Sequence, residues 1–238
     1  PKLALLLDID VNHLVSASLK ETDWVGLIHI YGCDLSQMIY DKPLVYYMLC
    51  HYLLLGIKDI YVLTDEDNRE YLKKADYEQF GFHFIFEMPE DKNVMLIKHP
   101  WFLFGSDLTQ MFQGAMLSER IIRLKPENQE AVFYFVPRAK NEILDKINIL
   151  DRKCSSRTLG RGMIVFDMSD YDKCLDVATF VRTYQSNTGM LIGSLEEISY
   201  RMGILTDEIM MDIAKKVPYG EYLKRIVVNH KSVEGQTK

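Results

Sequence analysis

Two acidic residues, Asp8 and Asp10, lie at the end of an apolar run that starts at Leu3 and has the length of a buried strand. Residues two apart on a strand point to the same face, so the two carboxylates can act together. Such a pair suits a carboxylate nucleophile with a neighbouring general acid, or the binding of Mg²⁺ or Mn²⁺, which prefer hard oxygen ligands. The plain alternative is an acid-rich loop that follows a strand, because the D-x-D pattern is common by chance.

Other residue types that often carry chemistry are scattered along the chain. The cysteines form no CxxC pair and have no histidine at zinc-site spacing, which indicates free thiols in a reducing compartment. No Ser-His-Asp arrangement follows from the order of the histidines, and the D-x-D pair lacks the downstream lysine motif of haloacid-dehalogenase phosphatases. The cysteines are Cys33, Cys50, Cys154 and Cys174; the histidines are His13, His29, His51, His83, His99 and His230.

Composition limits the classes of protein that the chain can represent. The 238 residues are 48% hydrophobic and 26% charged, as in an ordinary globular protein. A formal charge of -6 argues against a nucleic-acid-binding protein, which usually carries a basic face. The first residues include no basic segment of a signal peptide, and no apolar run is long enough to span a bilayer. We therefore expect a cytoplasmic protein with no membrane partner.

The order of the expected elements predicts the fold class. Strand-like and helix-like segments alternate from the first residues to about residue 186, which is typical of βαβ units and a mainly parallel sheet. The expected strands are 3–9, 25–31, 57–64, 82–87, 94–97, 131–136 and 163–166; the expected helices are 42–55, 65–75, 108–117, 139–151 and 171–184. We predict a Rossmann-like α/β domain over 1–186 with a mixed, mostly parallel sheet flanked by helices.

The remaining residues follow a different pattern, with one helix after another. Ser194 and Glu197 are spaced as a capping box, in which each side chain would accept from the other residue's backbone N–H. Gly203 is placed to end that helix, and Thr206 begins the next. We predict a C-terminal helical subdomain over 187–230 and a flexible tail over 231–238.

Several segments resemble the bacterial glucose-1-phosphate thymidylyltransferases, which are sugar nucleotidyltransferases. The helical segments IGSLEEISYRMGIL and YGEYLKRI are similar to the family's EEIAYR-type and YGxYL-type segments. Upstream, GRGMIVFDMSDYDKCLDVATFV and YDKPLVYYML followed by LLLGIKDIYVLT match further family patterns in the same order. The resemblance covers most of residues 40–227 and implies the family's nucleotide-diphospho-sugar transferase fold.

The family's phosphate-binding loop is missing. The resemblance implies a strand that runs into a GGxGxRL loop, whose backbone N–H groups and arginine hold the nucleotide phosphates. The first expected strand instead runs into Asp8 and Asp10, and no glycine precedes Gly26. The second expected strand is followed only by Gly32, with no arginine. Carboxylates beside triphosphate oxygens repel them unless a metal ion intervenes.

Other catalytic positions implied by the resemblance have changed as well. Pro100 stands where the family has an aspartate for the catalytic magnesium, and Leu124 stands where it has a sugar-binding glutamate. The base-recognition segment is deleted between Phe86 and Val94. Of the metal-binding acids only Asp167 remains. Because phosphoryl chemistry of this type depends on positioning and charge neutralisation, we expect a degenerate, non-catalytic relative.

The alternative is an active sugar-phosphate nucleotidyltransferase of dTDP-sugar biosynthesis that has rearranged its metal site. Asp8, Asp10 and Asp167 are all expected at carboxyl ends of strands, where α/β sheets bind ligands. Together they could bind Mg²⁺ from a new direction.

The motifs that remain correspond to the family's second, regulatory nucleotide site at a subunit interface. As carried over by the resemblance, that site uses Gly105, Ser106, Asp107, Arg161, Gly162, Glu196, Glu197 and Arg201. Arg161 could pair bidentately with a phosphate. We therefore predict a nucleotide or nucleotide-sugar ligand, and a homo-oligomer or association with an intact nucleotidyltransferase. The plain alternative is that the GRG segment persists as a turn and the EEISYR segment as a packed helix.

Overall fold

The computed structural model describes residues 22–105, 107–127, 133–160 and 162–235. The strands are β1 (Trp24–Ile30), β2 (Met38–Ile39), β3 (Lys42–Pro43), β4 (Asp59–Thr64), β5 (His83–Ile85), β6 (Asn93–Ile97), β7 (Trp101–Phe104), β8 (Ile122–Lys125), β9 (Phe133–Val136), β10 (Ser155–Thr158) and β11 (Ile164–Asp167). The α-helices are α1 (Leu44–Leu54), α2 (Glu66–Lys74), α3 (Leu108–Met116), α4 (Leu150–Lys153), α5 (Tyr171–Thr188), α6 (Leu195–Arg201), α7 (Asp207–Ala214) and α8 (Gly220–Gly235). Short 3₁₀ helices span Glu78–Phe80 and Arg138–Ile149.

A mixed sheet with the order β10-β8-β9-β6-β1-β4-β5 is the centre of the described part of the chain. Its neighbouring strands run parallel, except that β9 is antiparallel to both β6 and β8. The predicted α/β class with a mostly parallel, Rossmann-like sheet is therefore confirmed. Two small antiparallel ladders, β2 with β3 and β7 with β11, lie outside this sheet.

Two apolar cores lie on opposite faces of the sheet because side chains alternate along each strand. Ile28 and Ile30 of β1 point into the larger core, which also contains apolar residues of α1, α5, α6, α7 and α8. Val25 and Leu27 point into the smaller core, beside the 3₁₀ segment and α4. The C-terminal helices thus share the larger core with the sheet.

Gly26 allows α1 to lie directly on β1. A Cβ atom there would come within 2.7 Å of Ile60 Cδ1 and 2.9 Å of Tyr52 Cε1, distances that packed atoms do not adopt. The Tyr52 hydroxyl, which lies fully inside the protein, donates to the carbonyl oxygen of Leu27 at 3.0 Å. This contact fixes the helix that follows the β2–β3 hairpin above the central strand.

Most element boundaries agree with the sequence prediction to within a few residues, but some predictions need correction. Helix α1 begins at Leu44 and not at residue 42, because Lys42 and Pro43 pair with the preceding strand β2. The expected helix 139–151 is a 3₁₀ segment with a break at Lys146 (φ −128°, ψ 49°), followed by α4. Strands β2, β3, β7, β8 and β10 were not predicted. The expected strand 3–9 lies outside the described residues.

The proposed domain limits remain predictions. Helix α5 ends at Thr188, beyond the expected boundary at 186, and α8 ends at Gly235. In the described residues no helix is both long and apolar enough to cross a membrane.

One buried histidine of α1 makes stability depend on pH. His51 is 6% exposed and packs edge-on against Phe112 and Phe133. Its Nε2 atom has no hydrogen-bond partner among the described residues. Burial lowers the pKa of His51 from 6.5 to about 4, because a charged imidazolium would lose its hydration in this apolar site.

His51 in the unfolded chain takes up a proton below about pH 6.5, whereas folded His51 does so only near pH 4. We therefore expect His51 to lower the free energy of unfolding by about 2 kcal/mol as the pH falls from 7 to 5. Urea denaturation of His51→Leu at both pH values measures this, since the variant lacks that part of the pH dependence. His83→Gln, at an exposed position, is the matched control and keeps it. The same pH dependence in His51→Leu as in the parent protein would contradict the assignment.

Candidate functional site at the carboxyl edge of the sheet

The carboxyl ends of β6, β1 and β4 meet at one edge of the sheet, the place where α/β proteins bind ligands. Strand β11 reaches the same edge from the separate β7–β11 ladder, because the backbone N–H of Met168 donates to the carbonyl oxygen of Pro100 at 2.8 Å. This contact brings Asp167, the last residue of β11, beside His99, which follows β6. The sequence prediction that Asp167 lies near a strand end at the ligand-binding edge agrees with this position.

Both oxygen atoms of Asp167 accept hydrogen bonds from neighbouring groups. Oδ1 is 2.9 Å from His99 Nε2 and accepts the backbone N–H of Ser169 at 2.8 Å. Oδ2 accepts from Lys173 Nζ at 2.6 Å. Burial raises the pKa of Asp167, but the hydrogen bonds from Lys173, Ser169 and His99 outweigh it, so the net pKa lies far below its usual range. Asp167 is therefore an ionised carboxylate held by an ammonium group.

The residues around Asp167 fit a magnesium ion poorly. A carboxylate that binds Mg²⁺ must direct an oxygen to the ion, usually with a second carboxylate or with substrate phosphates. Here the Pro100 side chain has no ligand atom, and Lys173 supplies a positive charge where a cation would be attracted. Within the described ranges no cluster of three or more His, Cys, Asp or Glu side chains is arranged to hold a metal. The assignment of Asp167 as a metal ligand stays a prediction, and Asp8 and Asp10 lie outside the described residues.

The turn after β1 directs its backbone donors to the protein's own side chains. Gly32, in the left-handed region at φ +70°, donates its N–H to Asp65 Oδ2 at 2.7 Å. Leu35 N–H donates to Asn68 Oδ1 at 2.9 Å, and Asn68 Nδ2 donates to the carbonyl oxygen of Cys33 at 2.7 Å. In an anion-binding loop such N–H groups face a phosphate. In this turn, side chains at the start of α2 take that position.

Part of the predicted regulatory site is brought together by the β7–β11 ladder. Gly105 follows β7 and Gly162 precedes β11, and a Cβ on Gly105 would lie 3.1 Å from the Gly162 carbonyl oxygen. Asp107 is the residue before α3 and has a left-handed backbone at φ +62°. Ser106 and Arg161 lie outside the described residues. The Gly105 and Gly162 segments are therefore close in space, as they must be if both contribute to one nucleotide-binding surface.

The acidic residues of α6 are packed inside the protein. Glu196 is 0% exposed, and its carboxylate accepts hydrogen bonds from the hydroxyls of Tyr46, Tyr219 and Ser194 at 3.0–3.2 Å. These partners come from α1, from the residue before α8 and from the residue before α6. Glu196 therefore joins three parts of the fold by hydrogen bonds to its own chain.

Glu197 is engaged in the same way. It is 2% exposed and accepts from Arg201 Nε and from the Tyr222 hydroxyl, each at 2.8 Å. Burial raises the pKa of Glu197, and the neighbouring Arg201 partly offsets this effect. The capping box is confirmed in one direction, since the Ser194 hydroxyl accepts the Glu197 N–H at 3.2 Å. The Glu197 side chain turns to Arg201 and Tyr222 because an ion pair stabilises a buried carboxylate better than a backbone N–H.

Sequence reasoning missed the groups that surround Asp167. His99 stands alone in the sequence, and no motif marks Lys173. One local signal was present: Asp170 caps α5 by accepting the Lys173 N–H at 2.9 Å, so Lys173 lies in the first turn of the helix that follows Asp167. Lys42 was also missed. It is 0% exposed, pairs with Asp41 at 2.8 Å and lies 4.3 Å from the ring centroid of Tyr219.

We expect Tyr219→Phe to lower the free energy of unfolding by about 1–3 kcal/mol, because it removes one of the hydroxyl donors of a buried carboxylate. Thermal and urea denaturation measure the change. Tyr171→Phe, at a 69% exposed position, is the matched control and should change stability by less than about 0.5 kcal/mol. Equal effects of the two substitutions would show that the Glu196 bond contributes nothing.

Comparison with known proteins gives relatives of one kind, although no family model matches the chain. The chain is 26% identical to a glucose-1-phosphate thymidylyltransferase of Neisseria meningitidis over 259 aligned positions, which cover 79% of this chain and 90% of that protein. It is 24% identical to the enzyme of the same name from Mycolicibacterium smegmatis over 261 positions, with the same coverage. These alignments are longer than the 238 residues of the chain, so they contain gaps in it. Such gaps are expected if several segments of this chain are shorter than those of its relatives.

Solved structures with the same fold agree with these relatives. A Bacillus anthracis structure that carries the name glucose-1-phosphate thymidylyltransferase superposes with a TM-score of 0.50 at 11% identity, covering 67% of this chain and 95% of the other. A UDP-glucose pyrophosphorylase complexed with UDP-glucose also gives 0.50, at 10% identity, covering 67% and 99%. Identities this low show the fold alone. Together with the sequence relatives, they agree with the resemblance to sugar nucleotidyltransferases that the motifs indicated.

Proposed function

We propose that this chain is a sugar nucleotidyltransferase-like protein that does not transfer nucleotides. In this proposal it retains a surface for assembly and for a regulatory nucleotide. The observation that carries the proposal is that the Asp167 carboxylate is already paired within the protein, with Lys173 Nζ at 2.6 Å and His99 Nε2 at 2.9 Å. An internal ammonium group takes the place where the reaction needs a divalent cation beside a triphosphate.

The turn after β1 supports the same conclusion. Nucleotidyl transfer depends on donors that are already oriented towards the phosphates when the substrate arrives. In this turn Gly32 and Leu35 direct their N–H groups to Asp65 and Asn68 instead. A triphosphate would have to displace the Asp65 carboxylate and would meet its negative charge. Lys173 thus competes with the divalent cation of the reaction, and Asp65 competes with the triphosphate.

The regulatory surface that we propose is smaller than the one carried over from the family. Glu196 accepts from Tyr46 of α1, and Glu197 accepts from Arg201 and from Tyr222 of α8, so these groups hold α6 against α1 and α8. The part left for a nucleotide is the surface of the Gly105 and Gly162 segments, with Arg161 as the phosphate-binding group. A Cβ atom on Gly162 would meet nothing within 4 Å, so a phosphate could approach the backbone closely there.

The catalytic part of the proposal is tested by incubating the purified chain with Mg²⁺, glucose 1-phosphate and either dTTP or UTP, and measuring pyrophosphate. We expect no release above the blank, with an intact glucose-1-phosphate thymidylyltransferase as the positive control. Lys173→Met should also be inactive, because freeing Asp167 does not restore the phosphate-binding loop. Turnover that is lost in Asp167→Asn would overturn the proposal and establish an active enzyme with a rearranged metal site.

The binding part is tested by calorimetry with dTTP and with a dTDP-sugar. We expect binding to the unmodified chain and at least a tenfold loss of affinity in Arg161→Ala, since a bidentate phosphate pair contributes more than about 1.4 kcal/mol. Arg182→Ala, at an exposed position of α5, is the matched control and should bind normally. No heat of binding from the unmodified chain would leave only the assembly role, and a monomer in sedimentation would contradict that role as well.

A further inference from the structure

Two thiols from distant parts of the chain converge on one carbonyl oxygen at the carboxyl edge of the sheet. Cys33 Sγ, in the turn after β1, lies 3.9 Å from the oxygen of Met168. Cys174 Sγ, in the first turn of α5, lies 3.4 Å from the same atom. The separation of the two sulfur atoms therefore cannot exceed the sum of these distances. Rotation of a cysteine between staggered positions moves its sulfur by roughly 3 Å, so small movements bring the pair into contact.

We propose that Cys33 and Cys174 are a reversible modification site, which closes into an intramolecular disulfide when the protein meets a hydroperoxide. This inference does not depend on the proposed function. It uses only the geometry of the two thiols, and it would hold for an active enzyme as well as for an inactive one.

The two thiols differ in exposure in a way that suits a two-step reaction. Cys33 is partly exposed and can meet an oxidant from solvent, whereas Cys174 is 3% exposed. A partly exposed thiol that is oxidised first, with a buried second thiol beside it, is the usual arrangement of a redox-active pair. Of the remaining cysteines, Cys50 is buried and Cys154 is partly exposed at the start of β10, on the side of the smaller core.

The reaction balances with one equivalent of hydroperoxide. The Cys33 thiolate attacks one peroxide oxygen, the O–O bond breaks, and the sulfur is oxidised to a sulfenic acid while the other oxygen leaves and takes up a proton. The Cys174 sulfur then attacks the Cys33 sulfur, the S–O bond breaks, and water leaves with the thiol proton. Two thiols have then lost two electrons to the peroxide, and a dithiol reductant reverses the reaction.

The environment of Cys33 makes the first step slow at neutral pH. Burial, then the neighbouring Cys174, and then the carboxylates of Asp34, Asp167 and Asp65 raise the pKa of Cys33 to about 11. Since the thiolate is the attacking species, the rate should rise about tenfold for each unit by which the pH increases towards this value. The pair would therefore respond to sustained oxidation and not to a brief pulse.

Closing the disulfide would join the turn after β1 to the start of α5. Lys173, which holds Asp167, is the residue before Cys174. The bond therefore fixes the two segments that flank the candidate site. It also closes a loop of about 140 residues, and long loops give large stabilisation of this kind.

The experiment treats the reduced full-length chain with hydrogen peroxide, and identifies the products by mass spectrometry of peptides prepared without reductant. We expect a peptide pair linked through Cys33 and Cys174, a fall from four free thiols to two, and a melting temperature higher by at least about 5 °C. Dithiothreitol should restore all of these to the starting values.

Three variants make the test specific. Cys33→Ser and Cys174→Ser should each abolish the linked peptide and the rise in melting temperature, whereas Cys154→Ser is the matched control and should retain both. Because the two single variants report independently, failure of one to fold leaves the other informative. Sulfinic or sulfonic acid on Cys33 without a link, links through Cys154, or four surviving thiols would each overturn the proposal.

Discussion

The ion pair between Asp167 and Lys173 is the interaction on which the carboxyl edge of the sheet depends. It joins the end of β11 to the first turn of α5, and His99 links the same carboxylate to the segment after β6. A carboxylate that is about one-fifth exposed is stable only when hydrogen bonds or charges replace its lost water. Lys173, His99 and the Ser169 N–H supply them. These partners fix Asp167 in place.

The same physical rule applies to several other polar groups of the described fold, which are paired inside the chain. Asp65 binds the Gly32 N–H, and Glu196 receives hydroxyl donors from the helices around it. Lys42, which is fully buried, pairs with Asp41, and burial lowers its pKa although the nearby carboxylate opposes this effect. Removing one partner of such a pair leaves a buried charge and costs several kcal/mol, so the pairs hold the fold together as sets.

The apolar parts of the fold could be predicted because runs of apolar residues of strand or helix length mark them in the sequence. The central strand β1 and helix α1 have strong local patterns, and both lie within a few residues of the expected positions. Strand β10 could not be found this way, since all four of its residues are exposed at a sheet edge and no apolar pattern marks them. The break in the 3₁₀ segment at Lys146 was missed because apolar spacing does not report where a helix kinks.

The candidate site shows the same division between local and distant information. The sequence by itself determined the fold class and the absence of a glycine-rich loop after β1, because each is a property of consecutive residues. Only the tertiary structure decided that Lys173 and His99 hold Asp167, that Asp65 closes the turn at Gly32, and that Glu196 is buried. These pairings join residues that are far apart in the chain or on separate elements. Their partners are set by how the elements pack, and a spacing in the sequence does not record that.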